Sequence, residues 1–217
     1  MIEAVIFDFD GTILDTETLW YEAFVEVLRG EKVELPLPIF ARGIGTHDEG
    51  MFNYILEHVG SVERLESIKQ TAYELHRKQA MLLKPREGVV DYLEYARASG
   101  LKIGLATSSP RSWVEPFLTS HQLLHYFETL CTANDVLRIK PDPELYELAT
   151  ARLGIAPGKA IAFEDSLNGA KAAIAAGLKC VIVPNPVTEA LPFDQYDLRL
   201  NSFTEMSLAN VILKIEF

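Results

Sequence analysis

The chain has 217 residues, 48% of them hydrophobic and 24% charged, with a formal net charge of −11. That length can bury one large core, or a main domain with a smaller insert, and the mixed composition argues against a disordered or low-complexity protein. The acidic balance lacks any Lys/Arg cluster and so argues against a nucleic-acid surface; a small anionic substrate would need a local cation to offset the overall field.

The opening stretch "MIEAVIF" has neither the basic n-region of a signal peptide nor the length of a membrane span, so no membrane partner is expected. Cys131 and Cys180 fall in or beside apolar runs and read as buried free thiols, which suits a cytoplasmic location.

In chain order, short apolar runs rich in β-branched residues occur at 4–9, 101–107, 128–132, 160–165 and 179–183. Their hydrophobicity is continuous rather than alternating, as in strands covered on both faces. Helical segments at 111–121, 143–153 and 167–176 lie between them, so the expected fold class is α/β, a Rossmann-like doubly wound parallel sheet. The rhythm breaks after the first strand, where helices are expected near 17–29, 47–58 and 63–82 around a Pro-rich break, "LPLPIF". The expected division is therefore a core of 1–15 and 83–217, with a helical cap over 16–82. An insert at this point emerges at the carboxyl edge of the sheet, where it can act as a lid.

Four polar clusters fall at the carboxyl ends of strands: Asp8 and Asp10 in "DFDGT", Thr107-Ser108-Ser109, Lys140 in "RIKPDPE", and Glu164-Asp165 in "EDSLNGA". Taken singly, each is an ordinary turn, helix cap or surface lysine. In a parallel sheet all four meet on one edge, and together they match phosphoryl transfer through an aspartyl-phosphate. A bare carboxylate about 4 Å from a phosphate dianion is repelled by about 8 kcal/mol at an effective dielectric of about 20.

Mg²⁺, an oxygen-seeking cation, removes that repulsion, with Asp8 and Asp165 as ligands and Glu164 directly bound or just behind them. Asp8 is then the nucleophile and Asp10 the acid/base, while Lys140 and Thr107 hold phosphoryl oxygens and Gly11 lets the backbone turn past them. Specificity is expected from the segment 41–50, with Arg42, Gly43 and Thr46, from Glu17 and Trp20 on the first inserted helix, and from Ser108 beside Thr107. His47 reads as a surface or capping residue.

These motifs resemble those of the haloacid dehalogenase superfamily of phosphohydrolases: "DFDGT" at 8–12, Thr107 in "LATSS", Lys140 in "KPDPELY" and "EDSLNGA" at 164–170. The resemblance implies Mg²⁺ dependence, Asp8 as nucleophile, Asp10 as acid/base and the Asp10 backbone carbonyl as a further metal ligand. Its finer match is to the branch containing β-phosphoglucomutase and broad-specificity sugar-phosphate phosphatases. Mutases of that branch carry a histidine and an arginine where this chain has Trp20 and Thr46, so hydrolysis is the expected outcome.

The presence of Asp10 argues against dehalogenation or phosphonate cleavage, whose enzymes in the superfamily lack that second aspartate. The expected partner is a small phosphorylated metabolite, a sugar or polyol phosphate, and the expected state a monomer or weak homodimer. A receiver-type signalling module, which also combines carboxylates, a hydroxyl residue and a lysine, would be shorter and would need no helical insert.

Overall fold

The computed structural model describes residues 1–45 and 49–216. Six parallel strands form one sheet: β1 Ala4–Phe7, β2 Lys102–Ala106, β3 Thr129–Cys131, β4 Ala160–Glu164, β5 Lys179–Ile182 and β6 Leu198–Arg199, in the order β3-β2-β1-β4-β5-β6. β1 sits centrally, with Phe7 level with Leu105 of β2 and Phe163 of β4. The reversal of strand order beside β1 opens a crevice at its carboxyl end, the usual ligand position in such sheets.

Side chains alternate across the pleat, so the continuous apolar runs divide between two cores. Val5, Phe7, Ile103, Leu105, Phe163 and Val181 face one layer, with α5 Val89–Ala98, α6 Arg111–Ser120 and α9 Leu208–Glu216. Ala4, Ile6, Ala106, Ala162 and Cys180 face the other, with α7 Glu144–Leu153 and α8 Leu167–Ala175. The small residues on that second face let α7 and α8 approach closely. Cys131 and Cys180 are buried and unpaired.

Between β1 and β2 lie α1 Thr16–Glu31, α2 Leu37–Ala41, α3 Glu49–Val59 and α4 Val62–Ala80. They share a separate apolar cluster that includes Phe24, Leu28, Phe40, Met51, Ile55 and Ile68. The Asp15 carboxylate accepts from Thr18 N at 3.2 Å and caps α1 next to the Asp8–Asp10 loop, while Ser61 caps α4.

Three elements were not expected: α2, β6 and α9. The stretch read as a Pro-rich break is a helix because its prolines, Pro36 and Pro38, precede or open the first turn, where no intrahelical N–H is required. Thr46, His47 and Asp48 lie outside the described residues, so the expected roles of Thr46 and His47 fall outside them as well. No helix among the described residues is long and apolar enough to cross a membrane.

Candidate active site

Asp8 follows β1 directly, and its N–H continues the ladder to Phe163 O at 3.0 Å. The carboxylate thus stands at the sheet edge, where Lys140 Nζ donates to its Oδ1 at 2.5 Å. The same ammonium donates to Glu164 Oε1 at 2.6 Å, and Tyr146 from α7 donates its hydroxyl to that oxygen at 2.5 Å. No described residue donates to Asp8 Oδ2, and Asp8 lines a cavity of about 260 Å³ between the sheet edge and the inserted helices.

Asp165 is held from both sides, by Thr12 Oγ1 at 3.2 Å on Oδ1 and by Asn185 Nδ2 at 2.7 Å on Oδ2. Gly11 turns against it with φ +77°, and a Cβ there would lie 2.1 Å from Asp165 Oδ2, so only glycine permits this approach. Glu164 packs against α8 at Gly169, where a Cβ would come within 1.9 Å of Oε2. Ser166 caps α8 by accepting from Gly169 N at 3.0 Å, fixing the helix start behind these two carboxylates.

Asp8, Glu164 and Asp165 are buried, with ligand oxygens all within 4.8 Å of one another. Burial pushes the Asp8 carboxyl up to about 8; Lys140 pulls the other way, and the neighbouring Glu164 adds to the rise. Burial also holds Asp165 well above the usual carboxylate range, reinforced by Asp8 and Glu164. Burial would lower the Lys140 ammonium, but Asp8 and Glu164 outweigh it and raise its affinity for the proton. Lys140 is paired with two of the three carboxylates, while Asp165 feels Arg86 and Lys140 only through space, and the three form a hard oxygen donor set that suits a divalent cation.

Asp10 faces the cavity and is gripped by three side chains. Thr16 Oγ1 and Trp113 Nε1 donate to its Oδ1 at 2.8 and 2.9 Å, and Ser109 Oγ donates to its Oδ2 at 2.5 Å. Beyond β2 the chain bends at Ser108 and Ser109, and Ser109 N bonds back to Thr107 Oγ1 in a local turn. Thr107 is buried, lines the cavity and accepts from Ser109 N at 3.1 Å.

The other expected contacts divide. Glu17, Trp20, Gly43 and Ser108 line the cavity with Asp8 and Asp10. Ser108 Oγ donates to Gly45 O at 2.9 Å, so its hydroxyl joins the core to the inserted segment. Gly11 does not line the cavity, because its backbone is pressed against Asp165 and Asn185. Arg42 is exposed and borders a separate depression with Ile39, Asn53, Tyr54 and Glu57, because α2 ends with that residue turned from the sheet edge.

Sequence reasoning gave no role to Thr12, Thr16, Trp113, Tyr146 and Asn185, and named Ser109 only as part of the cluster after β2. Asn185 lies in the loop after β5, and nothing local announces its bond to Asp165.

The parallel sheet brings Asp8, Lys140, Glu164 and Asp165 to one edge facing the inserted helices, the arrangement expected of a phosphohydrolase. The sequence profile of the haloacid dehalogenase-like hydrolases matches residues 5–183, and the chain belongs to that family. It is 48% identical over 210 residues to YhcW of Bacillus subtilis (strain 168), covering 96% of each chain. It is 34% identical over 179 residues to a protein of Thermotoga maritima named phosphorylated carbohydrates phosphatase, covering 82% of this chain and 83% of that one. Among solved structures, CbbY of Rhodobacter sphaeroides in complex with phosphate superposes with a TM-score of 0.76 at 28% identity, covering 100% of both chains.

Proposed function

We propose that the protein is a Mg²⁺-dependent phosphatase that hydrolyses the phosphate ester of a small phosphorylated carbohydrate through an aspartyl-phosphate on Asp8. The observation that carries this reading is a cavity-lining carboxylate, Asp8, whose Oδ1 is held by a buried lysine while its Oδ2 accepts from no described residue. Lys140 fixes the orientation of Asp8 and offers positive charge to the phosphoryl oxygens. The relationship to a phosphatase of phosphorylated carbohydrates supports the substrate class.

Asp8 attacks phosphorus, forming the Asp8–phosphorus bond as the ester oxygen–phosphorus bond breaks. Asp10 gives its proton to the departing alcohol oxygen. Water then attacks phosphorus and passes a proton to Asp10, and Asp8 leaves as a free carboxylate with release of phosphate. Thr107 is placed to donate to a phosphoryl oxygen, and the inserted helices act as a cap that limits water around the intermediate. Mg²⁺ held by Asp8 and Asp165, with Glu164 beside them and the Asp10 carbonyl as a further donor, would supply the charge that lets a dianion approach these carboxylates.

Purified protein with Mg²⁺ is expected to release phosphate from hexose and hexitol phosphates faster than from nucleotides or phosphoglycolate. The absence of release from every sugar phosphate in such a screen would overturn the reading. Conversion of glucose 1-phosphate to glucose 6-phosphate in place of release would overturn hydrolysis as the outcome.

The metal assignment predicts a pH-dependent stabilisation. The folded protein keeps the Asp8 proton to about pH 8, whereas the unfolded chain loses it near pH 4, so the folded form binds more protons between these values and stability falls as pH rises through that window. A cation competes with that proton. The gain in Tm on adding Mg²⁺ is therefore expected to grow from about pH 5 to about pH 8. A gain that is flat or shrinks over this interval in thermal-shift measurements would contradict it.

A further inference from the structure

Trp113 stands outside the four motifs, yet α6 carries it into the cavity wall, where its indole N–H meets Asp10. Its ring lies against core and insert at once. The Phe117 ring meets it edge-on at 4.8 Å from the sheet side, and His76 of α4 stacks on it at 5.3 Å with 27° between planes. His76 is in turn held at 4.6 Å by Trp20 of α1, and its Nε2 is bonded at 3.2 Å to Thr16 O. The indole is a rigid plate gripped on both sides.

The three donors to Asp10 are not equivalent. The hydroxyls of Thr16 and Ser109 rotate and can accept as well as donate, so either can reverse when Asp10 gains a proton. The indole N–H is a donor only, in a direction set by the plate, and it points at Oδ1. A proton on Oδ1 would face that N–H, whereas Ser109 can turn its hydroxyl away from a protonated Oδ2 and leave that proton free for the ester oxygen.

We propose that Trp113 is a positioning residue for the acid/base step: its indole N–H fixes the rotamer of Asp10 and confines the transferable proton to Oδ2, with the seating of the insert against the ring setting its aim. The step it serves moves the Oδ2 proton to the ester oxygen as the oxygen–phosphorus bond breaks, leaving Asp10 as a carboxylate. This rests on the phosphatase reading above.

The test compares two esters in the wild type and in Trp113→Phe, which keeps an aromatic plate and removes the donor. Alkoxide departure from a hexose phosphate needs a proton, whereas p-nitrophenolate leaves without one, and kcat/KM reports the steps up to that departure. The variant is expected to lose about 10- to 100-fold in kcat/KM on the hexose phosphate and to stay within about three-fold on p-nitrophenyl phosphate. An equal fall on both esters, or no fall on either, overturns the proposal; a wild type that hydrolyses neither overturns the phosphatase reading instead.

An NMR measurement does not depend on the folding of that variant. The chain has two tryptophans, so two indole N–H signals are expected, assigned with Trp20→Phe. In Asp10→Ala the Trp113 signal should move upfield while that of Trp20 holds, and an unmoved Trp113 signal overturns the bond on which the proposal stands.

Discussion

Asp8→Asn is expected to abolish phosphate release, with a fall of about 10⁴-fold or more, while the fold is kept. An amide has nearly the shape of the carboxylate but is a far weaker nucleophile towards phosphorus, and nothing else at the edge offers an oxygen in the same place. Stability should move the other way. Burial and the neighbouring Glu164 disfavour the charged Asp8, so removing the charge relieves the cluster, while Lys140 keeps Glu164 as a partner. The melting temperature without metal is expected to match or exceed that of the wild type, and the gain on adding Mg²⁺ to shrink. Turnover near the wild-type rate would remove Asp8 from the mechanism. A collapsed melting temperature with intact turnover would make the residue structural.

Lys140→Met has the largest expected cost in stability. Lys140 is 1% exposed and is the only cation that directly bridges Asp8 and Glu164 among the described residues. Breaking a buried ion pair from one side leaves the remaining charges uncompensated, at about 3–5 kcal/mol.

The sign of the pH dependence follows from the shifts. Lys140 binds its proton more tightly in the folded state, so its contribution persists at neutral pH and is lost only in strongly alkaline solution. Without it, Asp8 is held further above its wild-type value, so the two proteins diverge once pH passes about 8, where only the wild type can ionise Asp8 against a bonded cation. Chemical denaturation without metal should therefore show a smaller deficit at about pH 7 and a larger one at about pH 9.5. Activity should fall about 10²- to 10³-fold through loss of charge on the phosphoryl oxygens. A deficit that is the same at both pH values would mean that Lys140 acts by packing alone.

The parallel sheet was legible because strands covered on both faces read as unbroken apolar runs, and β1 to β5 all lie within the expected segments. β6 escaped because two residues carry no pattern; α9 went unread although Ser207 opens it, accepting from Asn210 N at 3.4 Å. Arg42, expected among the specificity residues, borders a second depression, while its neighbour Gly43 lines both that depression and the cavity at Asp8.

The places of Asp8, Thr107 and Glu164-Asp165 were settled by local sequence, because strand polarity puts them on one edge; Lys140, expected at a strand end, instead lies in the loop between β3 and α7, and that loop brings it to Asp8 and Glu164. The partners of each group were decided only in three dimensions. Asp10 draws donors from Ser109 and Trp113, 99 and 103 residues away along the chain, and Asn185 reaches Asp165 from a loop with no catalytic pattern. Hydrogen bonds act over about 3 Å, whatever the chain distance, so side-chain partnership is set by how α4, α6 and the sheet edge pack together.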